Sequence, residues 1–406
     1  MKRAQITRRQ FLKALLAAIT GLAISMRESK LPVIAQSGPP PVHLPLLLKH
    51  SGAVDLRGRV IHLYAPGVTN WDFNSSHYYG RTQAPAVVGV SQTVVDAMVD
   101  RGVTTLLGLQ STAVAEAWNR LTPNYSAGNL IAIKINLNNA FNCNSTVASI
   151  DAIAQPVNAV VRGLKLRGVR DQDILVYDAI RSFPTRLYNE LANHNILLYD
   201  GSGCRGHTAT FNSSDVHAAV QFYPPSGIVQ TVRINDMLIQ AKYLVNMPIM
   251  KGHPIAGVTL GFKNHFGSTN NPGGMHSYVD TDYAQINQYD ALVDLNANPH
   301  IRDKTVLVLG DGIYGSRQYQ DTPPERWSTF SNASPCSLFF ATDPVAIDCV
   351  MHDLLKAERS TAQPATSNAY LRLAESAGLG ICETGNPWQL PYGSGYMKIT
   401  YLRFDI

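Results

Sequence analysis

The chain has 406 residues, 45% apolar and 16% charged, with a formal charge of +5. Residues 1–35 hold seven basic side chains (Lys2, Arg3, Arg8, Arg9, Lys13, Arg27, Lys30) against Glu28, a net +6, which leaves −1 for the rest. A nearly neutral remainder without a basic, aromatic-interleaved stripe excludes nucleic acid as a partner, and roughly 350 globular residues suffice for one large domain with insertions.

The first element reads as an export leader. Thr7-Arg8-Arg9-Gln10-Phe11-Leu12-Lys13 precedes an apolar run, Ala14 to Ile24, and a small-residue step, Val33-Ile34-Ala35. The run is short for a bilayer span and has signal-peptide layout, and paired arginines before Phe-Leu-Lys point to the twin-arginine (Tat) route. The expectation is a Tat signal over 1–35 that engages the Tat translocase. It would deliver an already folded protein, with any cofactor inserted beforehand, to a periplasmic, cell-surface or extracellular site. A retained leader would hold the protein peripherally at a membrane. Residues 36–54 carry a Pro run without periodicity and read as a linker; 55–406 read as the folded domain.

Within that domain, apolar runs of strand length alternate with helical periods. Strands are expected at Val60–Tyr64, Leu130–Leu137, Ile174–Tyr177, Ile196–Tyr199, Tyr243–Pro248, Thr305–Leu309 and Ser337–Ala341. Helices are expected at Ser91–Arg101, Val114–Leu121, Ser149–Arg167, Ser182–Ala192 and Pro344–Lys356. Continuous apolar strands alternating with helices predict an α/β fold, an open and mostly parallel sheet with helices on both faces. Ligands in such sheets sit beyond the carboxyl ends of the strands, where strand order reverses.

The strand ends carry the chemistry. Lys134 and Asn136, two apart, share a strand face. Asp178, Asp200 and Asp311 each follow an apolar run and together suggest a ring of carboxylates, although each could equally cap or turn the chain. Gly312 would let a ligand approach the backbone. The stretch 243–267, YLVNMPIMKGHPIAGVTLGFKNHFG, runs from a strand pattern into Lys251, His253, Lys263, Asn264 and His265, where a chain that only turned would place Gly, Asn or Asp. His253, His265 and His276 match no compact metal motif; His265 reads as a hydrogen-bonded surface group. A divalent metal site would need Asp311 or Asp348 to join His253 and His276 in space. Asp343-Pro344 reads as an N-cap and first helical residue, and Asp348 shares a helix face with His352.

Five cysteines (Cys143, Cys204, Cys336, Cys349, Cys382) lie far apart, so a protein-bound iron–sulfur cluster lacks its ligands. One or two disulfides are compatible with an oxidising compartment, at least one thiol stays free, and Cys349 reads as a core residue. There is no phosphate loop, H-E-x-x-H, G-x-S-x-G or strand-linked G-x-G-x-x-G. Gly201–His207 is glycine-rich, but no apolar helix follows to make it a phosphate cradle.

The order Lys134-x-Asn136, Asn246-x-Pro248-x-x-Lys251-x-His253, Val258-Thr259-Leu260-x-x-Lys263-Asn264-x-x-Gly267, His276, Asp311-Gly312 and Asp343-Pro344-Val345-Ala346-x-Asp348 resembles the DUF362 family of prokaryotic α/β proteins, whose function is unassigned. The resemblance covers roughly residues 130–350. Many members carry ferredoxin-like cysteine modules and some carry Tat-type leaders; this chain has the leader and lacks the cysteines. The resemblance implies that these blocks form one site.

The expected function is that of an exported enzyme binding a small anionic or carbonyl-bearing molecule. Lys251 and Lys263 would hold charge or polarise the carbonyl, His253 would act as base, and Asn264 as orienting donor. Lys134, Asn136, Gly267 and Gly312 would contact a cofactor, with His253, His276, Asp311 and Asp348 as the metal set, or the two aspartates fixing a histidine tautomer. The alternative is a non-catalytic binding or accessory protein for a redox partner, using the same crevice.

Overall fold

A computed structural model describes residues 54–74, 89–145, 148–222, 230–253, 256–276, 288–317, 322–358 and 368–406. The expected leader and the expected linker, up to residue 53, lie outside the described residues.

In chain order the strands are β1 (Arg59–Tyr64), β2 (Ile131–Lys134), β3 (Ile174–Asp178), β4 (Leu197–Asp200), β5 (Ala219–Phe222), β6 (Gln230–Arg233), β7 (Tyr243–Asn246), β8 (Ile249–His253), β9 (Gly257–Thr259), β10 (Thr305–Ser316), β11 (Ser337–Ala341) and β12 (Thr400–Asp405). The principal sheet runs β12-β1-β11-β10-β7-β2-β3-β4, with β8 and β9 attached beside β10, while β5 and β6 form a separate hairpin. The pairs from β10 through β7, β2, β3 and β4 are parallel, as is β1 with β12; β11 runs antiparallel to both neighbours. The fold is therefore α/β with a mostly parallel sheet.

Both faces are covered because successive strand side chains point to opposite sides. On one face Ile61, Ile133, Val176, Val245 and Leu307 meet Met98 of α1 (Gln92–Leu106), Trp118 of α2 (Val114–Leu121) and Val157 of α3 (Ala154–Leu166). Leu187 of the short helix α4 (Thr185–Asn189) joins that layer. On the other face Ala132, Leu175, Leu244, Val308 and Phe339 meet Phe262 of α5 (Gly261–Asn264), Val345 and Val350 of α6 (Pro344–Glu358) and Tyr370 of α7 (Ala369–Ser376). Among the described residues no helix is long and apolar enough to cross a membrane.

Three departures from the sequence reading have physical causes. The strand expected through Pro248 stops at Asn246, because a proline has no N–H to give the ladder. The chain restarts as β8, which pairs in parallel with β10 and in antiparallel with β9, so Lys251 and His253 belong to a strand. β10 runs to Ser316 instead of stopping at Leu309, since Gly310 and Gly312 leave room for Met351, Phe339 and Met250 to close over it. At Gly312 an added Cβ would lie 3.0 Å from both Met250 and Phe339; packing accounts for that glycine.

The glycine-rich segment after β4 is organised by its own aspartate. Asp200 accepts from the amides of Phe183 (2.6 Å), Ser202 (2.8 Å), Gly203 and Cys204, and Cys204 is disulfide-bonded to Cys143. Asp200 is thus a turn former and Asp311 lies inside β10 rather than at its end, so the three aspartates are not a ring of strand-end carboxylates.

Candidate functional site

From β2 the chain proceeds outward to β3 and β4, and then returns to build β7 and β10 on the other side. The β2/β7 boundary is the reversal point at which a parallel sheet opens a crevice. The last residues of those strands, Lys134 and Asn246, are register partners.

Lys134 is fully buried. Its Nζ donates to Asp178 Oδ2 (3.1 Å), to Asn264 Oδ1 (3.2 Å) and to the Ile135 carbonyl. Burial lowers its pKa, and the Asp178 charge opposes that shift. Asn136 also donates to Asn264 Oδ1 (3.2 Å), while Asn264 Nδ2 donates to Asn246 Oδ1 (2.7 Å) and to the Lys134 carbonyl (3.3 Å). Asn246 in turn donates to the Gly261 carbonyl (2.9 Å). The sequence blocks around 134, 246 and 264 therefore converge in one hydrogen-bonded network.

Gly267 closes this network from the side. An added Cβ would lie 2.7 Å from Lys134 Nζ and 2.9 Å from each Asp178 oxygen. Gly267→Ala is expected to cost about 1–3 kcal/mol through overpacking, displacing the Lys134–Asp178 pair. Thermal melting of the variant checks this, and an unchanged melting temperature would contradict it.

The second half of the site lies on β8 and α5. His253 and His276 stack with ring centroids 5.4 Å apart and planes 15° apart. His253 Nδ1 accepts from the Ala256 amide (3.1 Å). His276 Nε2 lies 3.1 Å from Lys263 Nζ, which also sits 3.8 Å over the Phe266 ring. Because an ammonium can only donate, His276 offers Nε2 as acceptor and is neutral; burial first, then the Lys263 charge, hold it at about 4. Lys263 itself is brought down to about 7 by burial and next by Lys251, with Asp290 opposing.

Lys251 is the outlier. It is fully buried, and its Nζ has no hydrogen-bond partner among the described residues. Burial is the main cause that lowers it to about 7; Arg181 and Lys134 push the same way, and Asp151 and Asp178 oppose. These electrostatic links place Lys251 in the same neighbourhood as the Lys134 network.

The expected metal set does not assemble. Asp348 spends Oδ1 on the Gly261 amide (2.7 Å) and Oδ2 on the Phe262 amide (3.0 Å) and the Tyr370 hydroxyl (3.2 Å). It thus caps α5, and burial raises it to about 7. Asp311 accepts from the Ile313 amide (3.0 Å) and is likewise raised to about 7 by burial. Among the described residues no group of three or more His, Cys, Asp or Glu side chains is placed to hold a metal ion. His265 is buried rather than at the surface: its Nδ1 lies 3.2 Å from Ser268 Oγ, and burial lowers it to about 3. Asp343 is the helix cap its sequence predicts.

Sequence reading passed over Asp151, Arg181 and Asp290. Asp151 stands three residues before α3 and looks like its cap, but the cap position is Ile153. Asp151 instead accepts from the Asn139 amide (2.8 Å) and from Arg186 (3.2 Å), and burial raises it to about 6.

A family model described as "Domain of unknown function (DUF362)" matches residues 131–353, more than half of the chain and the segment that holds every residue of both networks. No curated protein matches the chain. A crystal structure of a Thermotoga maritima protein from the Northeast Structural Genomics Consortium is similar at 11% identity and TM-score 0.28, over 51% of this chain and 51% of that one.

Proposed function

We propose, from the premise that the chain belongs to the DUF362 family, that the protein is an exported enzyme that binds a small molecule bearing an anionic group and a carbonyl at the reversal point of its sheet. Lys251 carries this reading. A buried ammonium without a hydrogen-bond partner costs several kcal/mol, and a bound anion in contact with it removes the penalty. Lys263, at one end of the His253–His276 stack, supplies a second cation.

Each residue has a role in this reading. Lys251 and Lys263 hold the anion and polarise the carbonyl, where low dielectric gives their charge most effect. Because its Nδ1 accepts from the Ala256 amide, neutral His253 carries its proton on Nε2 and donates it to the bound oxygen, with the neutral His276 stacked on it. The Lys134–Asp178 pair holds Asn264 rigidly, so that α5 presents Lys263 in a fixed place. Export is supported by the Cys143–Cys204 disulfide, a bond characteristic of oxidising compartments.

The test is anion-dependent melting with pyruvate, phosphate and oxalate as probes. Wild type should be stabilised by at least one of them, and Lys251→Met should remain folded and lose that response; a folded Lys251→Met protein stabilised as wild type is would sink the assignment. The pH dependence has a definite sign. Both lysines titrate near 7 in the free protein, the charged forms bind the anion, and affinity should therefore fall as pH rises through 7. Affinity that is flat or rising from pH 6 to 8.5, measured by calorimetry, would contradict this.

A further inference from the structure

Two thiols outside the candidate site face one another in the second apolar layer. Cys349 of α6 and Cys382, in the segment after α7, are both buried and unbonded, with their Sγ atoms 3.7 Å apart. A disulfide holds its sulfurs at about 2.05 Å, so closure asks for an approach of roughly 1.7 Å. We propose that Cys349 and Cys382 form a redox-active dithiol that is oxidised to a second disulfide by exchange with a disulfide-bearing oxidant.

The pair is chemically asymmetric. Cys349 donates its S–H to Cys382 Sγ, which lowers the Cys382 pKa, while the same bond and then burial raise that of Cys349. Cys382 is also the less enclosed, 7% exposed against 2% for Cys349, and so is the thiol that an incoming disulfide meets first. Its thiolate attacks one sulfur of the oxidant, forming a mixed disulfide and releasing the oxidant's first thiolate. Cys349 then gives up its proton and attacks Cys382 Sγ, displacing the second. One S–S bond forms in the protein and one breaks in the oxidant, which leaves with two electrons and two protons. Cys336 does not compete, because burial pushes its thiol up to about 12.

The surroundings give the bond a structural effect. The Cys382 amide donates to Glu375 Oε1 (2.9 Å), and the Ile381 amide to Asp343 (3.0 Å) at the start of α6. The next residue, Glu383, accepts from the amides of Met397, Lys398 and Ile399, which lead into β12. A bridge across 33 residues would therefore staple α6 to the segment that delivers the edge strand.

The Cys143–Cys204 bridge shows that this chain supports a disulfide elsewhere. The experiment incubates the intact protein with oxidised glutathione, alkylates free thiols under denaturing conditions without reductant, and maps the peptides by mass spectrometry. The expected result is a Cys349–Cys382 peptide and one alkylated cysteine, Cys336. Melting should shift upward by several degrees against the reduced dithiol, and Cys349→Ser should abolish both the peptide and the shift. Alkylation of Cys336, Cys349 and Cys382 together, with Cys143–Cys204 intact, would overturn the proposal. So would pairing of either thiol with Cys336.

Discussion

Lys134→Ala is expected to destabilise the fold by about 3–5 kcal/mol, the usual cost of removing one partner of a buried ion pair. The variant would strand the Asp178 carboxylate, which keeps only the amides of Leu137 (3.2 Å), Ile180 (3.2 Å) and Arg181 (3.3 Å), and would release Asn264 from one of its anchors. Removing both charges in Lys134→Met with Asp178→Asn should recover much of the loss, because no unpaired charge then remains. Denaturant melts of Lys134→Met, Asp178→Asn and their double variant form the cycle that checks this, with Lys134→Ala measured beside them. A Lys134→Ala protein within 1 kcal/mol of wild type would show that the pair contributes little.

Asp343→Ala is expected to cost about 3–4 kcal/mol, because one carboxylate accepts from four backbone amides drawn from three parts of the chain. Oδ1 takes Val345 and Ala346 (3.0 Å each), capping α6; Oδ2 takes Gly58 (3.0 Å), just before β1, and Ile381 (3.0 Å). The loss should fall on the order of β1 and the C-terminal segment as well as on α6, which hydrogen exchange at Gly58 and Ile381 would register. Asp343→Asn, which keeps a carbonyl acceptor, should recover part of the stability. Equal stability of Asp343→Ala and wild type would contradict this role.

The fold was largely legible in the chain because strands buried on both faces read as unbroken apolar runs, as Ile174–Tyr177 and Ser337–Ala341 do. What was hidden was topology. Nothing local in β12, whose Arg403 and Asp405 alternate with Leu402 and Phe404, announces that it pairs in parallel with β1 at the other end of the chain. The Pro248 break was visible as a residue but not as the start of a new strand, because β8 is specified by its distant partner β10.

The site was legible in its residue types and less so in their duties. Lys251, His253, Lys263 and Asn264 stand out because charged and amide side chains crowd an apolar context. Asp348 stands out for the same reason, yet its carboxylate caps α5, a partner 87 residues away. Asp151 and Asp290 were passed over because each sits where an aspartate usually caps a helix. Asp290 does cap the helix at Ala291–Ala297, and its charge also acts on Lys263.

Lys251 is, on this reading, a buried cation completed by a ligand. A crystal structure at pH 6 of protein soaked with pyruvate, phosphate or oxalate tests it most directly. The expected result is an anion within hydrogen-bond distance of Lys251 Nζ and beside Lys263. Lys251 paired instead with a carboxylate of its own chain, with no ligand density beside it in any of the three soaks, would rule out a ligand-completed cation.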